Sequence, residues 1–390
     1  MKKIKTHIVL LSDQVLPNVL PALDAAISPA NIVLCESDAM CHKGIGQRLK
    51  DLFESKSIEC ETFALGGAYD FNALEERFLE LAARYDGCEA DVAVNLTGGT
   101  KLMAIAAQNV FGAGCFTCFY SIPQRNEIVE ITGERSPPVA LRHQIKLNDY
   151  FLVHGYKVLS KQGRDYKLVH RAEQLAKELL SDLGTYSKHI GYLNMLAAKA
   201  EEAYSLKVRT ETVAEQEHIL ELFYRYGFIK YFDDKKVEFG TEENRSFCKG
   251  LWLESHLHQT FKDINQDIKE SLGEGLQDYA TSVVVKSSTG TKNEFDGAFI
   301  YKNNLYVVEA KTAQLKEKGA DVLYKLDSLK DFAGMYTRPI IVTFRSLKGY
   351  DKKRATDLGI NVIEGSALNA LGRKLKEIMG ILDNSKGDQQ

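Results

Sequence analysis

The chain has 390 residues, 44% of them hydrophobic, and a net charge of −3. This length is typical of two or three globular domains, and the charge is not the strongly basic one of a general nucleic-acid binder. Residues 1–150 carry 14 Lys and Arg against 19 Asp and Glu, whereas the remainder carries 36 and 34. The first part is therefore net acidic, so an anionic ligand there must be held by local geometry.

The sequence gives no indication of a membrane protein or of an oxidising compartment. No run of about 18 uninterrupted apolar residues occurs. The seven cysteines are odd in number and lie mostly in apolar surroundings, which favours reduced core thiols over a disulfide framework. Cys115 and Cys118 are three apart on a predicted strand, so they face opposite sides and make a poor zinc pair. We expect a cytoplasmic protein.

Residues 6–133 alternate between apolar strands and amphipathic helices. Buried parallel strands require near-continuous apolar runs, so this pattern predicts a Rossmann-like, doubly wound α/β domain with its ligand at the carboxyl ends of the strands. The predicted strands are Thr6 to Ser12, Asn31 to Glu36, Glu59 to Ala64, Asp91 to Leu96, Phe116 to Ile122 and Glu127 to Thr132. The predicted helices are Val15 to Ile27, Lys43 to Ser55, Phe71 to Tyr85 and Thr100 to Phe111.

Two loops at those carboxyl ends carry polar groups that could hold a ligand. The first, Asn95-Leu96-Thr97-Gly98-Gly99-Thr100-Lys101, leaves a buried strand and enters a helix. Its glycines allow backbone N–H groups to approach a phosphate, and the helix amino terminus and Lys101 favour negative charge. Ser12 and Asp13 follow the first strand in the equivalent position. Neither loop is a GxGxxG or Walker motif, and helix capping alone is an equally good explanation of the glycine loop.

The stretch 141–245 is the least informative part of the sequence. A helix (Glu217 to Tyr226) ends at Gly227, and the strands Ile229 to Phe232 and Lys236 to Phe239 follow across an Asp233-Asp234 turn. This order resembles a small winged-helix unit. It carries no dense basic recognition face, so a packing module within a connector is favoured over a groove-reading DNA binder.

Residues 293–312 predict a β-hairpin with a metal site. Two apolar runs flank a turn at Asn303-Asn304. A two-residue loop would pair Asp296 with Lys311 and a four-residue loop would pair it with Glu309, and either register places all three side chains on one face, with Ala310 on the other. Two carboxylates there would bind Mg²⁺ or Mn²⁺, and the lysine would face the reacting centre of a phosphodiester hydrolysis. An edge strand with a solvated Glu and Lys is the simpler alternative.

Asp296 followed by Glu309-Ala310-Lys311 resembles the D…(D/E)xK signature of restriction-endonuclease-like nucleases. The predicted helix, hairpin and following elements match the αβββαβ core of that superfamily. The superfamily often supplies a further metal-site carboxylate from the helix before the hairpin, and the resemblance makes Glu254 that candidate. The resemblance therefore implies Asp296, Glu309 and Glu254 as metal ligands and Lys311 as the catalytic lysine.

The segment Asn95-Leu96-Thr97-Gly98-Gly99-Thr100-Lys101 is similar to the signature of CARF domains, the cyclic-oligoadenylate sensors of type III CRISPR systems. Together, the two resemblances cover essentially the whole chain and imply a CRISPR-associated, second-messenger-activated DNA/RNA nuclease. Such proteins are homodimers that bind cyclic tetra-adenylate at the CARF interface. The loop from Thr97 to Lys101 matches the family well, whereas Ser12 and Asp13 match only by position.

The sequence thus predicts a CARF domain at 1–140, a connector at 141–245 and a nuclease domain at 246–383. Two other function classes remain open: a ligand-sensing transcription regulator, and a constitutive restriction-like DNase with a structural Rossmann-like half. Lysines around the nuclease site are candidates for contacts to a phosphate backbone, and they are Lys286, Lys292, Lys316, Lys318 and Lys325.

Overall fold

The structure is a computed structural model that describes residues 4–133, 136–162, 166–200, 203–208, 210–313, 319–334 and 336–381. Lys316 and Lys318, two of the lysines considered above, lie outside these ranges. The chain divides into a first unit, mainly the residues up to Val158, and a second unit, mainly those from Leu159 onward. Within the described ranges, no helix is both long enough and apolar enough to span a bilayer.

The first unit is built on a seven-stranded sheet in the order β3-β2-β1-β4-β5-β6-β7. The first five strands run parallel, and β6 and β7 are added antiparallel. The strands are β1 (Thr6–Leu10), β2 (Asn31–Ser37), β3 (Glu59–Gly66), β4 (Val92–Asn95), β5 (Thr117–Ile122), β6 (Glu127–Glu130) and β7 (Val139–Ala140). All residues of β1 and β4 are buried, as the apolar runs predict.

Helices connect the parallel strands of this sheet. They are α1 (Leu16–Leu23), α2 (Asp38–His42), α3 (Ile45–Ser55), α4 (Phe71–Ala83), α5 (Lys101–Ala113) and α6 (Leu147–Val153). The chain passes from β1 outward to β3 and then returns to β4 on the other side of β1. The carboxyl ends of β1 and β4 therefore form the topological switch point, the usual ligand site of such sheets. Helices α1 to α5 lie between the parallel strands, whereas α6 follows β7. Of those five, the sequence predicted all but the short α2.

The second unit begins with helices and a small antiparallel sheet. Its first elements are β8 (Tyr156–Gln162), α7 (Tyr166–Ser181), α8 (Leu183–Lys199), β9 (Ser205–Lys207), α9 (Thr210–Arg225), β10 (Tyr231–Phe232) and β11 (Lys236–Glu238). Strands β10, β11 and β9 pair in that order. The helix and hairpin expected near residues 217–239 are present. Strands β8 and β9 and helix α8 were not predicted.

The nuclease-like part follows with α10 (Glu242–Ser246), a π-helical turn (Phe247–Leu251), α11 (Trp252–Leu272), β12 (Asp278–Ser287), β13 (Lys292–Tyr301), β14 (Asn304–Lys311), α12 (Gly319–Ala333), β15 (Thr337–Thr343), α13 (Gly349–Asp357), β16 (Asn361–Glu364) and α14 (Leu371–Ile378). These strands form a sheet in the order β16-β15-β14-β13-β12-β8. From α11 to β15 the order is αβββαβ, as predicted.

The hairpin turn lies one residue earlier than predicted. Tyr301 pairs with Asn304, so the two-residue loop is Lys302-Asn303 and not Asn303-Asn304. Both loop residues have positive φ, 47° and 58°, as a type I′ turn requires. Gln277 fixes the turn, because its side chain accepts from the N–H of Asn303 at 2.6 Å and donates to the Asn303 side chain at 2.7 Å. This buried amide pair was not visible in the sequence pattern.

One hydrophobic core runs through the second unit. It includes buried residues from α7, α8 and α9, from the segment Phe247–Trp252, and from strands β13 to β16 and helix α14. Buried residues of α7, α8 and α9 are thus packed in the same core as the nuclease-like sheet. Gly297 on β13 lies so close to α11 that an added Cβ would be 2.6 Å from Leu257.

Candidate active site and sensor loops

Strands β13 and β14 bring two carboxylates and a lysine to one face of the sheet. Continuing the pairing of Gly297 with Val308 by one residue places Asp296 opposite Glu309. The Lys311 ammonium lies 2.6 Å from a Glu309 oxygen and 3.5 Å from Asp296 Oδ2. The backbone N–H of Ala310 donates to the same Asp296 oxygen at 2.7 Å, while the Ala310 side chain packs on the hydrophobic core. This register, with Asp296 opposite Glu309, is the one predicted for a four-residue loop.

These three side chains are electrostatically coupled. Burial, and next the charge of Glu309, raise the pKa of Asp296 above its ordinary value. Burial alone would lower the pKa of Lys311, but the charges of Asp296 and Glu309 outweigh that effect and raise it. The Glu309 side chain is only 7% exposed, and Lys325 on α12 also contacts it, at 3.1 Å. The site therefore holds two crowded carboxylates that require positive charge nearby.

This donor set fits a hard divalent cation. Mg²⁺ is commonly bound by one or two carboxylates, with water and substrate phosphate completing its shell. Asp296 and Glu309 supply two such carboxylates, and a cation there would relieve the repulsion that raises the pKa of Asp296. Across the described ranges, no group of three or more His, Cys, Asp or Glu side chains is close enough to form a metal site. The remaining ligands would have to come from water, backbone or substrate.

Glu254 lies on α11 and lines a cleft of about 1050 Å³ together with Asp296 and Lys311. Its Oε2 accepts a hydrogen bond from Ser282 Oγ at 2.8 Å. The structure thus brings Glu254 into the same cleft as the hairpin residues and orients it from β12. Its direct coordination of a metal stays a prediction.

The other wall of this cleft is helix α8, which the sequence did not predict. Lys188, Gly191, Tyr192 and Met195 on α8 line the cleft. Asn194 of the same helix hydrogen-bonds Thr312, the residue after Lys311, at 2.7 Å. The π-helical turn approaches that threonine as well, because a Cβ on Gly250 would lie 2.9 Å from Thr312 Oγ1. Asn194 therefore links α8 to the residue that follows β14.

In the first unit, the loop from Thr97 to Lys101 follows β4 and opens α5. Gly98 packs against β1 so closely that an added Cβ would lie 1.9 Å from the Leu10 carbonyl oxygen, and Gly99 has a φ of +73°. The Thr100 hydroxyl caps α5 by accepting from the Met103 N–H at 3.2 Å, and it donates to the Ala68 carbonyl at 3.0 Å. Lys101 is exposed at the first turn of α5. Backbone N–H groups at such a helix start suit an anionic ligand.

Asn95 orients the start of this loop. Its carboxamide oxygen accepts from the Thr97 N–H at 3.0 Å and from the Thr97 hydroxyl at 2.6 Å. The Thr97 hydroxyl in turn accepts from the Ser121 N–H at 2.7 Å. Both hydroxyls of the loop, those of Thr97 and Thr100, are thus engaged within the protein. The backbone and Lys101 are the groups best placed for a ligand.

Ser12 and Asp13 follow β1 at the adjacent strand end, as predicted. The Ser12 hydroxyl donates to the Gln14 carbonyl at 3.3 Å. Asp13 forms an exposed ion pair with Lys43 at 2.7 Å. Lys43, which sequence reasoning did not single out, is therefore a further positive group at this end of the sheet. A signal was present, because Lys43-Gly44 lies shortly after the second predicted strand.

Two family models match the chain. Residues 6–150 match the Card1 CARF domain, and residues 241–381 match the Card1-like endonuclease domain. The chain is a CARF-domain CRISPR nuclease whose second domain is similar to the Card1-like endonuclease domain. These CRISPR-associated proteins combine the two domains found here, so the expected fold class and the expected nuclease activity are both confirmed. Among curated proteins, none matches this chain.

Solved structures share the fold of this family member. Protein VC1899 from Vibrio cholerae is 24% identical with a TM-score of 0.86, over 97% of this chain and 98% of that chain. Can2 from Sulfobacillus thermosulfidooxidans, solved with cyclic tetra-adenylate, is 21% identical with a TM-score of 0.76, over 96% of this chain and 97% of that chain. A type III CRISPR defence DNA nuclease activated by cyclic oligoadenylate is 14% identical with a TM-score of 0.56, over 100% of this chain and 53% of that chain.

Proposed function

We propose that this CARF-domain nuclease is a metal-dependent endonuclease that cyclic tetra-adenylate activates in type III CRISPR antiviral defence. Its proposed substrates are single-stranded RNA and DNA, with nicking of supercoiled duplex DNA as a further activity to test. The observation that carries this proposal is the convergence of Asp296, Glu309 and Lys311, of which Asp296 and Lys311 line the cleft. The free state of all seven cysteines supports a reducing, cytoplasmic location.

We assign Asp296 and Glu309 as the ligands of Mg²⁺ or Mn²⁺. When bound, the cation would acidify a water molecule and offset charge on the reacting phosphate. Lys311 contacts both carboxylates, so its ammonium is positioned to orient the attacking water or to stabilise developing negative charge. Glu254, held by Ser282, would act as a direct ligand or as an outer ligand through water.

The sensor role rests on the two strand ends of the first unit. The loop of Thr97, Gly98, Gly99, Thr100 and Lys101 lies at the switch point beside the loop of Ser12 and Asp13. Can2, which shares this fold, was solved in complex with cyclic tetra-adenylate. A ring with near two-fold symmetry suits a two-fold interface, so we propose a homodimer in which each protomer supplies one copy of both loops.

The test is cleavage of single-stranded RNA, single-stranded DNA and supercoiled plasmid with Mn²⁺, with and without cyclic tetra-adenylate. We expect cutting only with both the metal and the activator. The matched control is Glu309→Gln, which keeps the shape of the side chain, and we expect its cutting to fall at least about 100-fold while activator binding persists. Full cutting by this variant would refute the site assignment.

Two other outcomes would replace the proposal. Activator-dependent binding to a DNA operator without any cleavage would support a transcription regulator. Cutting at full rate without a small molecule would support a constitutive DNase. Chelation of the metal by EDTA is expected to stop all cutting, and persistent cutting in EDTA would contradict the metal dependence.

A further inference from the structure

The side of α8 that faces the cleft carries two exposed side chains, Lys188 and Met195, and one half-buried ring, that of Tyr192, which also packs against the hydrophobic core. Ile190, Leu193, Leu196 and Ala197 are buried in the core. The cleft-lining residues Lys188, Tyr192 and Met195 recur at spacings of four and three, so they form one stripe along the helix. This stripe faces the cleft that contains Asp296 and Lys311. A positive charge, an aromatic ring and a thioether thus line the cleft wall beside the catalytic group.

The cleft carries an excess of positive charge. Its described lining includes four cationic side chains and two acidic ones, namely Lys188, Lys249, Lys311 and Arg345 against Glu254 and Asp296. The Lys311 ammonium forms ion pairs with the carboxylates of Asp296 and Glu309. Within the described ranges, Lys188, Lys249 and Arg345 have no carboxylate within salt-bridge distance, and the first two are exposed. Such cations suit a phosphate backbone that runs along the cleft.

Gly191 provides an independent observation on the same stripe. It lies inside α8, where glycine costs about 0.5–1 kcal/mol relative to alanine. A Cβ at this position would meet no atom within 4 Å, so protein packing does not require the glycine. Glycine is also favoured where a ligand approaches the backbone closely. The missing side chain opens the cleft between Lys188 and Met195.

We propose that this face of α8 binds single-stranded nucleic acid next to the scissile phosphate. Lys188, Lys249 and Arg345 hold backbone phosphates, and the Tyr192 ring stacks on an unpaired base. Stacking on an aromatic ring needs a base that is free of its partner strand, so the surface selects single strands over duplex. The cleft volume of about 1050 Å³ is at the upper end of the range of ordinary small-ligand pockets.

This inference deepens the proposed function, and binding measurements test it separately from catalysis. The full-length Glu309→Gln protein would be titrated with fluorescein-labelled single-stranded RNA and DNA, and with the matched duplexes, in EDTA and cyclic tetra-adenylate. In this background, Tyr192→Leu is expected to weaken single-strand binding about tenfold, whereas Tyr192→Phe retains it. Duplex binding is expected to be the same for both Tyr192 variants.

The cations are tested by the salt dependence of binding. The triple variant Lys188→Ala, Lys249→Ala and Arg345→Ala is expected to reduce the slope of log K against log salt concentration by about 2, because each phosphate contact on a single strand contributes about 0.7. Lys262→Ala is the matched control, since Lys262 is an exposed lysine on α11 outside the cleft lining. We expect it to change neither the slope nor the affinity.

Gly191 gives a test that does not remove any binding group. Because its Cβ position is open, Gly191→Ala is expected to fold at least as stably as the parent. Gly191→Leu places a larger side chain in the cleft and is expected to raise KM for single-stranded substrate at least about fivefold, with an unchanged melting temperature. An unchanged KM for Gly191→Leu would argue against a substrate path along α8.

The outcomes separate the two proposals. If the parent protein cuts on activation and the Tyr192, triple-cation and Gly191 variants bind and cut like the parent, the role of α8 is wrong and the proposed function stands. If the parent never cuts, yet these variants lose single-strand binding, the α8 surface is supported and the nuclease proposal fails. Equal losses for Lys262→Ala and the triple variant would reduce the effect to overall charge and overturn the site.

Discussion

Glu309 is a nearly buried carboxylate that contacts two different lysines. One oxygen lies 2.6 Å from Lys311 and the other lies 3.1 Å from Lys325. Lys325 also donates to the Glu294 carbonyl at 3.0 Å, so it is tied to β13 and not directed only at the carboxylate. Lys311 is the last residue of β14, whereas Lys325 lies on α12. The two lysines therefore are expected to respond differently to substitution.

Lys325→Met tests whether this lysine competes with a bound cation for Glu309. Removal of its charge leaves more negative potential on the carboxylate pair, so we expect half-maximal cleavage at a severalfold lower Mn²⁺ concentration, with kcat at saturating metal within about twofold of the parent. The measurement is a Mn²⁺ titration of activated cleavage. Lys311→Met is the comparison, and it should abolish cutting at every metal concentration. A large fall in kcat for Lys325→Met would instead give it a direct part in the reaction.

His7 couples the stability of the first unit to pH. It is the second residue of β1, its ring lies 5.5 Å from that of Phe119, and neither ring nitrogen has a hydrogen-bond partner among the described residues. Burial lowers the pKa of His7 to about 4. The unfolded chain takes up this proton below about pH 6.5, but the folded chain does so only near pH 4. The folded state is therefore stabilised above pH 6.5 and loses that stability as the pH falls.

His7→Phe should make the protein less sensitive to acid. For a change from pH 7 to pH 5, we expect the parent to lose about 2 kcal/mol through His7 and the variant to lose none through this position. Urea unfolding at the two pH values measures the difference. His42→Gln is the control, because His42 is an exposed residue on α2, and it should leave the pH dependence unchanged. An identical acid loss in the parent and His7→Phe would contradict the effect of burial.

The loop from Thr97 to Lys101, between β4 and α5, depends for its shape on close contact with β1. Gly98→Ala would force a Cβ to within 1.9 Å of the Leu10 carbonyl, so the loop or β1 must shift. We expect a loss of at least about 2 kcal/mol of stability and a response to cyclic tetra-adenylate weakened at least about tenfold. Thermal unfolding and activator titration of cleavage measure the two effects.

Gly67→Ala is the matched control for that substitution. Gly67 precedes Ala68, whose carbonyl accepts from Thr100, yet a Cβ at Gly67 would meet no atom within 4 Å. We expect this variant to unfold and respond to activator as the parent does. Equal behaviour of the two glycine variants would show that close packing of Gly98 on β1 does not shape the loop.

At the level of elements, the sequence predicted most of the structure where apolar residues recur with the regular spacing of a strand or of a helix. The apolar strands and helices of the first unit and the β13–β14 hairpin agree with prediction because their patterns of burial are regular. The turn was misplaced by one residue, because Lys302 and Asn303 adopt the positive φ values, and the side chain of Gln277, distant in sequence, holds Asn303. Helix α8 was missed because its outer stripe mixes Lys188, Tyr192 and Met195, which obscures the alternation of polar and apolar faces.

The sequence predicted the site residues on the β13–β14 hairpin but not the residues that surround them. Asp296, Glu309 and Lys311 converge through a local hairpin, so their spacing alone placed them on one face. Lys325 was expected near the site only as a phosphate contact, and the structure places it against Glu309. Ser282 and the α8 residues reach the same region through tertiary packing from elements far apart in sequence. Only the fold brings these together, and no short-range pattern could indicate them.

At the scale of the whole molecule, activation requires coupling between sensor and nuclease. If cyclic tetra-adenylate strengthens binding of the nucleic-acid substrate, linkage demands that the substrate strengthen binding of cyclic tetra-adenylate by the same factor. We expect an increase of about fivefold or more in activator affinity when inactive Glu309→Gln is saturated with single-stranded substrate. Calorimetric titration of activator with and without that substrate measures the factor. Identical affinities would confine activation to a step after substrate binding.

The shared core of the second unit limits where this protein can be divided by recombination. The Card1-like endonuclease segment begins at residue 241, but the core residues that α7, α8 and α9 contribute lie before it. A gene fusion that grafted a new sensor at that boundary would expose core residues such as Leu193 and remove one wall of the cleft. A junction between α6 and β8 keeps the six-stranded sheet and the core of the second unit intact. Exchange of sensors among such nucleases is therefore expected to preserve the segment from β8 to residue 240 with the nuclease that it accompanies.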